Sequence, residues 1–143
     1  MQLQKASMKK IALTDDSQTH WFGMGNYEIK LTLINKTVRI MYVSEPPFGD
    51  SYHQLYIDNV EFEGFVWGCE FLFPFGQAYL ICSWMKNLYQ RKTLLIDLKT
   101  SNYYVFPIYY GDFKRRGNSI DFENKLLSQT KTLDLNDVRK LFG

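Results

Sequence analysis

The sequence predicts an all-β fold, mainly antiparallel sheet built from hairpins and a meander, with one short C-terminal helix. Three observations carry that prediction. Apolar and polar residues alternate with period two along several stretches. The 11 Phe, 10 Tyr and 3 Trp make 17% of the 143 residues, and ring-bearing side chains fit the pleated, half-buried surface of a sheet. Short groups of Asn, Asp, Gly and Pro punctuate the alternating runs. About ten short strands are expected, in a single domain over residues 1–143, because a chain of this length builds one core.

Tyr27–Ile34 is the clearest strand, with Tyr27, Ile29, Leu31 and Leu33 on one face and Glu28, Lys30 and Thr32 on the other. Asn tolerates positive φ, so Asn35-Lys36 reads as a tight turn into a second alternating run, Thr37–Val43. Pro46 and Pro47 cannot donate to a ladder, which makes Ser44–Asp50 a loop. Tyr52–Ile57 and Val60–Trp67 form the next hairpin across Asp58-Asn59. Glu61 and Glu63 face solvent there, Val60 and Phe62 turn inward, and Gly64 marks a bulge.

The second half changes character. Ala78–Trp84, Lys92–Leu98 and Tyr103–Tyr110 carry apolar residues at consecutive positions, so these strands are central or have a face that binds something. Met85–Arg91 is a loop, and Lys99–Asn102 has the composition of a hairpin turn. Lys114–Asn118 turns the chain into Ser119–Phe122, and Thr130–Leu133 is a short run before the helix. Asp134 caps that helix, Asp137 supports the cap and the macrodipole, and Leu135, Val138, Leu141 and Phe142 share one face that seals the core. Phe75–Cys82, Lys92–Thr100 and Tyr103–Phe106 together resemble one blade of a β-propeller. The likeness implies a four-strand meander, since 143 residues hold too few strands for a closed propeller.

The start, Met1–Lys10, lacks the apolar run of a secretory leader, and the richest apolar stretch, Tyr103–Tyr110, is interrupted by Pro107. A cytoplasmic chain without a membrane segment is expected. A disulfide between Cys69 and Cys82 is geometrically conceivable across strands, but without an export signal the pair reads as reduced, with at least one thiol buried. His20, His53 and the two Cys do not sit at ligand spacing, so neither a metal nor another cofactor is expected.

No hydrolase elbow, zincin motif, phosphate loop or Cys-x-x-Cys occurs. Gly23-Met24-Gly25 is a lone Gly-x-Gly that leads into a strand, so it reads as a turn rather than a nucleotide loop. Asp15-Asp16 with His20, and Asp50-Ser51 with His53, each set a carboxylate near an imidazole that it could tune as a base. Both segments are polar, however, and read as turns with solvated histidines. Glu61 and Glu63 read as a solvated strand face. The chain is therefore expected not to be an enzyme.

The residues singled out for binding are Tyr104, Tyr109, Tyr110, Arg115 and Arg116. If Tyr103–Tyr110 stays regular, neither of its faces is polar. Its Tyr end, beside the Lys114–Arg116 hairpin, then forms an exposed aromatic and basic patch for a protein partner. The competing expectation is that the terminal helix or a loop covers one face, leaving only Arg115 and Arg116 in solvent. The same tyrosines, interleaved with Arg91, Lys92 and Lys114–Arg116, also suit stacking and phosphate contact, so a single-stranded nucleic-acid-binding domain is the alternative.

In general character, a small aromatic-rich β chain with these features resembles the immunity proteins of bacterial toxin systems. That resemblance implies a non-catalytic inhibitor that docks on a cognate toxin, and it transfers no residue. Seventeen Lys and Arg against 15 Asp and Glu give a net charge of +2. Charge complementarity then points to an acidic or neutral toxin rather than a cationic nuclease.

Overall fold

The computed structural model describes residues 8–47 and 49–143. Met1–Ser7, used above in reading the start of the chain, and Phe48 in the proline loop lie outside the described residues. The chain is all-β and mostly antiparallel, with a short C-terminal helix. One sheet holds β1 (Met8–Leu13), β2 (His20–Trp21), β3 (Asn26–Leu31), β4 (Lys36–Ser44), β5 (Tyr52–Ile57), β6 (Val60–Leu72), β7 (Tyr79–Met85), β8 (Lys92–Asp97) and β9 (Tyr103–Val105). A second sheet holds β10 (Asp112–Arg116), β11 (Ser119–Asn124) and β12 (Gln129–Asp134). A turn named α1 (Pro74–Gln77) precedes β7, and the helix α2 (Leu135–Leu141) follows β12.

From β3 to β9 the large sheet is a sequential antiparallel meander, while β1 runs parallel to β3 at one edge and β2 pairs with the far end of β6. The hairpin chemistry read from the sequence is present. Asp58 and Asn59 take φ of 47° and 66°, the pair of left-handed residues that suits strand twist. Asn35 also has positive φ, but the reversal spans Thr32–Asn35 and Lys36 already belongs to β4. The cause is local: the Thr32 amide and hydroxyl both donate to the Leu13 carbonyl at the end of β1. This ends β3 early, so Leu33 leaves the buried face and is exposed.

β6 runs continuously through what the sequence divides into two strands. Pairing passes from Leu55↔Phe62 to His53↔Val66, so the bulge expected at Gly64 is there, with φ of 76°. A Cβ at Gly64 would lie 2.6 Å from the Met85 carbonyl oxygen. A wider irregularity follows, where residues 67–70 stand against Ser83 and β2 takes up the freed edge of β6. Val60 shares parity with Phe62, but it is the first residue after the turn and is exposed instead of inward.

Two cores lie back to back on β7 and β8. Leu80, Cys82, Trp84, Leu94 and Ile96 join Ile29, Leu31, Val38, Ile40, Leu55 and Phe71 inside the curl of the large sheet. Tyr79, Ile81 and Leu95 face the other way, against Phe113, Ile120, Phe122, Leu133 and Val138. The consecutive apolar residues of β7 and β8 are thus those of central strands, and the small sheet with α2 covers their second face. Asp134 and Asp137 form a reciprocal capping box on α2, as their spacing predicts.

Candidate functional site

The segment 103–110 does not remain a strand. β9 ends at Val105, and from there the chain folds over the second core: Phe106 is buried, with its ring 4.9 Å from that of Phe122 and 5.9 Å from that of Tyr110. Tyr110 is buried too, its amide donating to the Thr93 hydroxyl at 2.7 Å and its carbonyl accepting from the same hydroxyl. Tyr104 is half-buried and edge-on to Phe106. Tyr109 is half-buried, its hydroxyl 2.9 Å from that of Ser83, and its carbonyl accepts from Asn124 Nδ2 at 2.7 Å. The expected exposed tyrosine patch is therefore not formed by these side chains. The small sheet together with α2 takes the apolar face; the competing expectation has only the terminal helix or a loop there, with Arg115 as well as Arg116 left in solvent.

Arg115 and Arg116 part company because neighbours on a strand point to opposite faces. Arg115 turns inward between the sheets, bridging Asp16 at 3.0 Å and lying over the Phe75 ring. The Gly76 amide and then Arg115 hold the Asp16 carboxyl below its ordinary range. Arg116 turns outward and makes two hydrogen bonds to Asp121 across the hairpin. Lys114–Arg116 belong to β10, and the turn itself is Gly117-Asn118.

Arg116 leads to a feature that the sequence reading missed. The outward face of β10–β12 floors a groove of about 550 Å³, lined on the floor by Asp112, Lys114, Arg116, Asp121, Glu123 and Thr132 and bounded by Thr19 and Glu70. Burial, followed by the nearby Asp112, pushes the Glu70 carboxyl up. Trp21 stands directly across from Glu70 and is 64% exposed. Beyond Lys125, at the turn between β11 and β12, Leu126 is 98% and Leu127 58% exposed. The signal available in the sequence was the alternation Asp112, Lys114, Arg116 and Asp121, Glu123, which sets every second side chain of each strand on one face.

The other candidates separate cleanly. His20 does meet Asp15, at 3.1 Å. His53, expected in solvent, is wholly buried in β5, sharing parity with the buried Leu55 and Ile57. Glu63 accepts the Tyr103 hydroxyl, and Arg91 lies over Trp67 while bridging Asp50 at 3.1 Å. Cys69 and Cys82 are free and both buried, and burial pushes both thiols up. Among the described residues, no group of three or more His, Cys, Asp and Glu is placed to hold a metal ion, and no helix is long and apolar enough to cross a membrane. No family model, no curated protein and no solved structure matches this chain, so its own groove and rim residues carry what is inferred of its function.

Proposed function

We propose that this chain is a non-catalytic protein-binding module of the immunity type, which docks on a cognate toxin and neutralises it through the outer face of β10–β12. One observation carries the reading: a charged groove is open to solvent, and large apolar side chains stand exposed next to residues that line it, Trp21 cross-strand from Glu70 and Leu126 and Leu127 directly after Lys125 in the chain. Trp and Arg are the side chains that most often anchor an interface, and exposed apolar groups at its rim gain from being covered. Glu70, Asp112, Asp121 and Glu123 line the same groove. Lys114, Arg116, Lys125 and Lys131 balance them, so the groove offers phosphate no net attraction, which weighs for a protein rather than a single-stranded nucleic acid.

Reconstitution tests the proposal. The protein retained by the tagged chain in its native host is identified, purified and titrated with the wild type and with a Trp21→Ala, Leu126→Ala double variant. The expected result is a stoichiometric complex that suppresses the partner's activity and is weakened roughly 10-fold or more in the variant, at unchanged melting temperature. A purified partner whose activity survives saturation by the chain overturns the inhibitor reading. Tight, steeply salt-dependent binding of single-stranded oligonucleotide would favour the nucleic-acid alternative.

A further inference from the structure

We infer that the groove is bipolar, and that it takes a protein surface presenting a Lys or Arg to its Glu70–Asp112–Glu123 end and a carboxylate about 7 Å away to Lys114. The inference rests on the protein-binding reading above and specifies the chemistry of the partner.

The strand register builds the polarity. Asp112 pairs with Glu123, which pairs with Thr130; two residues along, Lys114 pairs with Asp121, which pairs with Thr132; two further, Arg116 pairs with Ser119, which pairs with Asp134. Two residues of strand rise about 7 Å, which sets the distance between neighbouring rows. The first row places two carboxylates directly opposite one another, an arrangement that destabilises a sheet. Glu70 adds a third from the groove wall. Lys125 reaches Asp112 at 3.5 Å, whereas among the described residues Glu70 and Glu123 have no salt bridge. In the next row Asp121 is committed to Arg116 and to the Thr132 hydroxyl, and the Lys114 ammonium has no salt bridge among the described residues. Asp134 in the last row is held in the α2 cap. Lys131, in register between Thr130 and Thr132, also lines the groove, so the charges left open are Glu70 and Glu123 at one end and Lys114 one row away with Lys131 between the rows, and a partner of single-sign charge is repelled by one of the two signs.

Three disulfide-closed β-hairpin peptides with the same neutral frame serve as probes, because same-face residues of a strand are also about 7 Å apart. They present Lys and Glu, Lys and Lys, or Glu and Glu at adjacent same-face positions. The Lys/Glu hairpin is expected to shift the amide resonances of β10 and β11 saturably and to bind at least roughly 5-fold more tightly than the others, losing affinity with added salt. Glu123→Lys leaves three carboxylates, Glu70, Asp112 and Asp121, in a groove that then holds five cations, and it should shift the preference towards the Glu/Glu hairpin, a gain that misfolding cannot mimic. Equal binding of all three, no saturable shift, or an unchanged preference in Glu123→Lys overturns the inference. The reconstituted complex separates this failure from that of the parent reading. If Trp21→Ala weakens the complex and Glu123→Lys does not, the module reading stands and the bipolar groove falls. A partner that the wild type leaves active removes the inhibitor reading, while the hairpins still decide the groove.

Discussion

His53 has no exposed surface, lies edge-on to Tyr42 with ring centroids 5.8 Å apart, and among the described residues finds no hydrogen-bond partner of good geometry for either ring nitrogen. Burial lowers its pKa from 6.5 to about 4, with the backbones of Gly25 and Val66 offsetting part of the effect. The unfolded chain therefore takes up this proton near pH 6.5 and the folded chain only near pH 4. Stability from the site is complete above pH 6.5 and declines as the pH falls towards 4, by up to about 3 kcal/mol. Replacing His53 with Leu should flatten the melting temperature across that window relative to the wild type. Parallel profiles would show that the imidazole does not titrate against folding. The carboxyls of Asp16, Asp58 and Asp121, held low by their partners, add acid sensitivity to both proteins and cancel in the comparison. Neighbouring Asp50 and Ser51 made this residue look solvated. Its parity with Leu55 was the better guide, because a strand buries by alternation and not by the polarity of adjacent residues.

At the scale of elements, α1 is a clasp. Phe75, Gly76 and Gln77 have φ of 57°, 68° and 64°, left-handed values that cost energy at the two non-glycine positions. The buried Gln77 amide offsets that cost: its Oε1 accepts from the Leu33 amide, and its Nε2 donates to the carbonyls of Leu13 and Asp15. It thus joins the start of β7 to the end of β1 and the β3–β4 turn, drawing the edge of the curled sheet towards its middle. Gln77→Ala should cost about 2–3 kcal/mol, since it leaves buried backbone groups unpaired. Hydrogen exchange at the Leu33 amide should accelerate more than exchange within β8. Uniform acceleration would show a general loss of stability instead. The strands from β3 to β6 were legible because alternation and turn residues are local. β1 and β2 were not, since Lys9-Lys10 breaks the alternation and two residues carry no period. Their places are set by β3, β6 and Gln77, far along the chain.

Across the whole molecule, β7 and β8 belong to both cores, so neither core can open without exposing strands on which the other is built. Leu94 and Leu95 are neighbours on β8, and each is wholly buried on its own side. Leu94→Ala and Leu95→Ala should each destabilise by about 2–5 kcal/mol. Both should lower one shared transition in which tryptophan fluorescence and far-UV circular dichroism coincide. Separate transitions in Leu95→Ala would mean that the small sheet melts alone. Apolar residues on both sides of β7 and β8 announced a second layer. The sequence did not identify that layer, because Phe113, Ile120, Phe122 and Leu133 are scattered among charged residues whose outward set forms the groove. This interleaving divides each strand of the small sheet into two independent inscriptions. One holds the fold and tolerates little change. The other, Asp112, Lys114, Asp121 and Glu123, can vary in sign or size while the scaffold beneath stays the same, so related chains could diverge in surface charge without relearning how to fold.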